Sequence, residues 1–222
     1  MKQTKVVVEV GKTAATLSIP IPSLRYVDRF IRSNSALDIL QLGVFPDAKE
    51  ITESFAAVNA VERKLGLSKA LMKRLNPYIL VVGDGVTPRT GVLMAFHTPY
   101  EVISIDPAMR SNHYPSVQRL DVHCVSLGDF TYDFDRPVII VAVHSHVPAS
   151  ELLDFHAKVG DKLMVVIENP CCTPGAFPAA FGPPDYEYTD WGIHSPKREM
   201  RIWKIPAKRI YPLPDNEIKD LI

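Results

Sequence analysis

Beyond Pro77 the chain carries five short, continuous aliphatic runs, and these narrow its possible folds more than any other feature. They are Tyr78-Ile-Leu-Val-Val82, Glu101-Val-Ile-Ser-Ile105, Asp121-Val-His-Cys-Val125, Val138-Ile-Ile-Val-Ala-Val143 and Lys162-Leu-Met-Val-Val-Ile167. None alternates apolar with polar residues. Unbroken runs of this length mark strands buried on both faces, and such strands belong to parallel sheets. The segments between them are compatible with helix: Pro88 to His97, with Thr87 as cap and proline at the first helical position, and Ala149 to Val159, which holds Leu152, Leu153, Phe155 and Val159. Strands that alternate with helices predict a doubly wound, mostly parallel α/β sheet. Tyr186 to Ile193 and Met200 to Ile205 come next, joined by too few residues for a crossover, so they predict an antiparallel hairpin closing the sheet.

The part before Pro77 reads differently. Lys5 to Val10 and Thr13 to Ile19 flank Gly11-Lys12 as two β-rich runs, a hairpin closed by Pro20 and Pro22. Gly11-Lys12-Thr13 imitates the end of a phosphate-binding loop, but the glycine that motif needs five residues before its Gly-Lys pair is Val6 here. From Ser23 the pattern turns helical: Leu24 to Arg32, Ala36 to Leu42, then a longer helix with Asp47 as cap and Glu50 three residues on. Ile51, Phe55, Val58 and Leu65 line one face of it until Gly66. Ser68 caps a short stretch, Lys69 to Leu75, ended by Asn76-Pro77. Near the other end, nine of the 19 prolines fall between Pro170 and Pro214, which predicts a long irregular loop over residues 170 to 185.

Composition excludes several classes. At 46% hydrophobic and 23% charged residues the chain is neither disordered nor a coiled coil throughout. Its 25 basic residues balance 25 acidic ones, so no global field gathers nucleic acid or anionic lipid. The longest wholly aliphatic run, Val138 to Val143, has six residues where a membrane span needs about 20, and the start Met-Lys-Gln-Thr-Lys lacks a signal-peptide apolar region. Three cysteines, two of them adjacent, make no disulfide framework. The expectation is a cytoplasmic protein with no membrane partner.

The strongest chemical signal is strand, glycine loop, helix, strand, acid: Val81-Val-Gly83-Asp-Gly85-Val-Thr-Pro-Arg-Thr-Gly91, a helix to His97, then Val102-Ile-Ser-Ile-Asp106. Glycines at the end of a central strand let backbone approach a ligand, and a carboxylate ending the neighbouring strand is placed to accept hydrogen bonds from both hydroxyls of a ribose. The alternative is structural, with the glycines serving a tight turn and Asp106 capping the next helix before Pro107. The dinucleotide fingerprint wants its third glycine at position 88, where the chain has Pro88, which weighs against a nicotinamide cofactor.

The order of elements from 78 to 205 resembles that of the class I S-adenosylmethionine-dependent methyltransferases, over roughly the last two-thirds of the chain. The resemblance implies a cofactor-binding, Rossmann-like domain over 77–222, with 1–76 as an N-terminal hairpin and helical extension. It implies S-adenosylmethionine as cofactor, with Gly83 and Gly85 around its methionine part, Asp106 on the ribose, and Asp129 of Ser126-Leu-Gly-Asp-Phe130 on the adenine amino group. Asp84 sits inside the lengthened loop, and the methionine carboxylate is held either by Arg89 or by the N–H groups of the helix that follows, Arg89 being otherwise a plain surface residue. Methyl transfer to an acceptor is the implied activity. Val81, where the family usually has an acid, motivates the alternative of a catalytically silent nucleotide-binding or interaction module.

Val143-His144-Ser145-His146 ends the fourth strand of the series, where ligand and acceptor meet in open α/β sheets, so His144 and His146 are the candidates to take a proton from the acceptor. A zinc site joining them to Cys171 and Cys172 is disfavoured, because adjacent cysteines chelate one ion poorly and there is no Cys-x-x-Cys. No metal is expected. Glu168-Asn169-Pro170 only partly matches the amine-holding motif of nucleic-acid methylating enzymes. Phe177, Phe181 and Tyr186 suggest an aromatic wall and a small-molecule acceptor. Single-stranded nucleic acid stays open through stacking and the basic run Lys197, Arg198, Arg201, Lys204, Lys208 and Arg209.

Overall fold

The computed structural model describes residues 3–10, 13–20, 22–111, 114–171 and 175–205, with backbone alone over 3–20. Strands β1 (Gln3–Val10) and β2 (Thr13–Pro20) pair antiparallel as a two-stranded ribbon. Gly11 and Lys12 lie outside the described residues. Four helices come after the ribbon: α1 (Arg25–Ile31), α2 (Ala36–Gln41), α3 (Ala48–Arg63) and α4 (Lys69–Leu75). The caps are those read from the sequence. Asp47 accepts from the Glu50 N–H at 3.0 Å and Ser68 from the Leu71 N–H at 3.1 Å, each satisfying a backbone donor that the first helical turn leaves open.

The main sheet has seven strands among the described residues. β3 (Tyr78–Val82), β4 (Val102–Ile105), β5 (Leu120–His123), β6 (Val138–Val143) and β7 (Leu163–Asn169) are parallel, and β8 (Tyr186–Thr189) and β9 (Glu199–Lys204) close one side antiparallel. The order is β5-β4-β3-β6-β7-β9-β8, so this is a doubly wound, Rossmann-like α/β sheet, mostly parallel with an antiparallel end. The chain runs outward from β3 to β5, returns to β6 on the other side of β3, and so places its topological switch point between β3 and β6.

Every residue of β3, β4 and β7 is buried. Alternate residues serve two cores. Ile79, Val81, Ile139, Val141 and Ile167 face α3 and α5 (Arg89–His97), whereas Leu80, Val82, Ile140, Ala142 and Val166 face α6 (Ala149–Val159) and α7 (Ala176–Phe181). Phe55 of α3 is fully buried in the first core together with Tyr26 and Phe30 of α1, so residues 25–63 cover one face of the sheet. No helix among the described residues is long and apolar enough to cross a membrane.

Three sequence expectations change. The run at 121–125 is strand only over Leu120–His123, which lies at the sheet edge among the described residues with Asp121 exposed. Residues 170–185 are not irregular throughout: α7 forms within them and packs Phe177 on Trp203, with ring centroids 6.3 Å apart. Thr87 does not cap α5; its hydroxyl donates to the Val44 carbonyl at 3.1 Å, and the cap comes from Asp84.

Candidate functional site

The glycine loop leaves β3 at the switch point. Gly83 and Gly85 have φ of +69° and +86°, a region in which a side chain is strained. At Gly83 a Cβ would lie 2.3 Å from the Ser145 hydroxyl, so this loop and the turn after β6 touch only because no side chain intervenes. Gly91 plays the part that the sequence pattern sought at position 88. Its missing Cβ lets α5 approach Ser104 of β4, where a side chain would come within 2.9 Å.

Asp84 is buried and its carboxylate is saturated. It accepts from the Thr90 and Gly91 N–H groups, each at 2.9 Å, from the Ser104 hydroxyl at 2.8 Å and from the Thr90 hydroxyl, which fills its four acceptor sites. Burial pushes this carboxyl above the usual range against those bonds. Its position at the N-terminus of α5 ties the loop to the helix and occupies the N–H groups that the sequence reading offered to a ligand carboxylate. Arg89 turns back over Gly85 and pairs with Glu50 of α3.

Asp106 ends β4 and accepts from the Gly85 N–H at 2.8 Å and the Ala108 N–H at 2.7 Å. An ionised carboxylate has about four lone-pair sites, so two remain for hydroxyl donors. The residue therefore shapes the loop and keeps the capacity that a ribose requires. Asp129 is exposed beyond β5, where its carboxylate accepts from the Ser126 hydroxyl at 2.8 Å. Gly83, Gly85, Asp106 and Asp129 thus follow the carboxyl ends of β3, β4 and β5.

His144 lies just past β6 with φ of +51°, a left-handed backbone that is uncommon outside glycine, that histidine adopts more readily than most residues, and that is often kept at functional positions. Its N–H donates to the Asn169 carbonyl at 2.9 Å, and its Nε2 lies 2.9 Å from Glu53 Oε1. Glu53 sits on α3 and is 2% exposed. Burial raises its carboxyl, but the hydrogen bond and charge of His144, helped by Ser195 and Lys49, outweigh it and leave the group below the ordinary value. Together with Lys49, Asp84, Arg89 and Thr90, the pair lines a cavity of about 110 Å³ between α3 and the switch point. His146 is exposed two residues on. Glu53 was missed in the sequence because it looks like one more charge on an amphipathic helix, and only packing aims it inward.

The other expectations separate. Phe177 is core, and Phe181 leans on Trp203, so neither forms an acceptor wall; Tyr186 is exposed on β8. Of the basic run, Arg201 pairs with Glu168 and Glu187 and Arg198 donates to the Ile193 carbonyl, which commits both to the hairpin. Cys171 is buried; Cys172, Lys208 and Arg209 lie outside the described residues. No cluster of three or more metal-ligating side chains occurs among the described residues. A larger cavity of about 290 Å³ lies between residues 130–134 and the end of α6, but its lysines, Lys158 and Lys162, donate to the Gly128 and Phe134 carbonyls. It brings no reactive groups together.

No protein-family model and no curated protein matches the chain. Solved structures do. MtNAS in complex with MTA and tNA is 13% identical over 82% of this chain and 70% of its own, with a TM-score of 0.46. Magnesium protoporphyrin IX methyltransferase from Synechocystis PCC 6803, with bound SAH, is 11% identical over 81% and 97%, with a TM-score of 0.44. The sugar N-methyltransferase KedS8 from Streptoalloteichus sp ATCC 53650 is 18% identical over 82% and 65%, with a TM-score of 0.35. Likeness this distant transfers no activity, ligand or residue role.

Proposed function

We propose that the protein binds S-adenosylmethionine across the ends of β3, β4 and β5 and transfers its methyl group to a small-molecule acceptor. The observation that carries this reading is the meeting, at one switch point, of a glycine loop in left-handed backbone, a carboxylate with spare acceptor capacity and a histidine in left-handed backbone. The bound cofactor supplies a methyl carbon activated by a sulfonium. Asp106 holds the ribose hydroxyls, Asp129 meets the adenine amino group, and the loop of Gly83 and Gly85 borders the methionine part. Asp84 keeps the loop in this shape. Arg89 receives the methionine carboxylate by exchanging it for Glu50. His144 accepts the acceptor's proton, with His146 at the rim of the same turn. Because Arg198 and Arg201 are spent within the hairpin, a small molecule suits the site better than a nucleic-acid strand.

Isothermal calorimetry with S-adenosylmethionine and S-adenosylhomocysteine tests the reading. The expected result is saturable binding that Asp106→Ala weakens by roughly 1.5 to 3 kcal/mol, the range for a hydrogen bond to a charged group. Absence of binding by the native chain sinks it. Binding without transfer to any acceptor in a broad small-molecule screen leaves a silent binding module.

A further inference from the structure

We infer that Glu53 is the positioning residue for His144: it takes the Nε2 proton in a hydrogen bond and so dedicates Nδ1 to the methyl acceptor. This rests on the reading of His144 as the proton acceptor. An ionised carboxylate only accepts, so across the 2.9 Å contact His144 Nε2 must be the donor. A neutral imidazole has one N–H, and with it on Nε2 the free lone pair is on Nδ1.

The arrangement is over-determined from several elements. Glu53 is buried on α3, the longest helix described. Lys49 approaches the same carboxyl at 3.4 Å from one turn earlier, and Ser195, buried in the β8–β9 connection with its hydroxyl donating to the Lys197 carbonyl at 2.8 Å, helps to hold that carboxyl below its ordinary range. The His144 backbone is pinned to Asn169. The other charged groups lining the cavity, Glu50, Asp84 and Arg89, are engaged among themselves or with α5, which leaves Glu53 as the carboxylate bonded to the ring. His146, exposed in the same turn, has no such support among the described residues.

In the transfer step the acceptor's proton passes to Nδ1, its freed electron pair bonds the methyl carbon, and the sulfur keeps the pair of the bond that breaks. The imidazolium formed stands against the Glu53 carboxylate. With 28% of the His144 side chain exposed, the ring can return the proton to water.

Nitrogen-15 spectra of histidine-labelled, cofactor-free protein, taken where the ring is neutral, read the tautomer directly. The native chain should show His144 protonated on Nε2 alone, and Glu53→Ala a mixture of tautomers. In the same variant turnover should fall by about 10²-fold or more with cofactor affinity within about twofold of native. Should Glu53→Ala fail to fold, Glu53→Gln is isosteric and should keep the tautomer through its carbonyl while losing rate. A native His144 protonated on Nδ1, or a tautomer indifferent to Glu53→Ala, overturns the proposal. Failure of the native chain to bind S-adenosylmethionine overturns the wider reading instead, whatever the spectra show.

Discussion

Three carboxylates near the switch point behave differently because their surroundings differ. Asp84 is closed off by four donors, Asp106 spends half its capacity on backbone, and Glu53 shares its buried charge with an imidazole. The glycines beside them are equally specific. Gly83→Ala places a methyl group 2.3 Å from the Ser145 hydroxyl in a left-handed backbone, so it should cost roughly 1 to 3 kcal/mol and displace the His144 turn. Adding Ser145→Gly removes the clash and should recover part of that stability, while the strain of alanine at positive φ remains. Urea denaturation of the single and double variants separates the two contributions, and equal stabilities for both would show that Ser145 is not what Gly83 accommodates.

The elements that close the site are joined by few but buried polar links. Tyr26 of α1 donates to Asp190 at 2.6 Å, Arg25 pairs with the same carboxylate, and the Gly192 N–H also donates to it, which fastens α1 to the connection after β8. The contact between α3 and α5 holds a pH-sensitive group. His97, at the end of α5, lies 4.8 Å from the Phe55 ring; burial first, then the charge of Arg29, pulls it from 6.5 down to about 4. A histidine with a depressed folded pKa contributes stability that is complete above pH 6.5 and is lost as pH falls toward 4, because the unfolded chain takes up the proton first. Stability should therefore decline through that window, and His97→Gln should flatten this part of the profile when denaturation is followed at several pH values. A slope unchanged by the substitution would assign the decline to other groups. The helix caps at Asp47 and Ser68 and the strand runs were legible because their signals are local. The cap of α5 was not, since Asp84 reaches the helix from inside the loop.

Across the whole molecule, the N-terminal helices and the sheet share a core. Phe55, Ala56 and Val58 of α3 pack with Ile79, Val81, Val165 and Ile167 of the sheet. Residues 77–222 expressed alone would expose that face, and an apolar surface of this kind drives association. The truncated chain should aggregate or lose its near-ultraviolet circular dichroism, whereas a well-dispersed spectrum from it would show that the sheet folds without its cover. The same packing explains what could be read from residue order. Uninterrupted aliphatic runs dictate a sheet covered on both faces, and helical segments between them dictate parallel strands, since burial and connection length are properties of the chain itself. The glycines and Asp106 were visible for the same reason, each lying at a strand end defined by local pattern. Glu53 meeting His144 across 91 positions, Ser145 resting on Gly83, and Phe177 turned into the core were decided by tertiary structure alone. A side chain's burial and partners depend on which surfaces the fold brings together, and no spacing along the chain encodes that encounter.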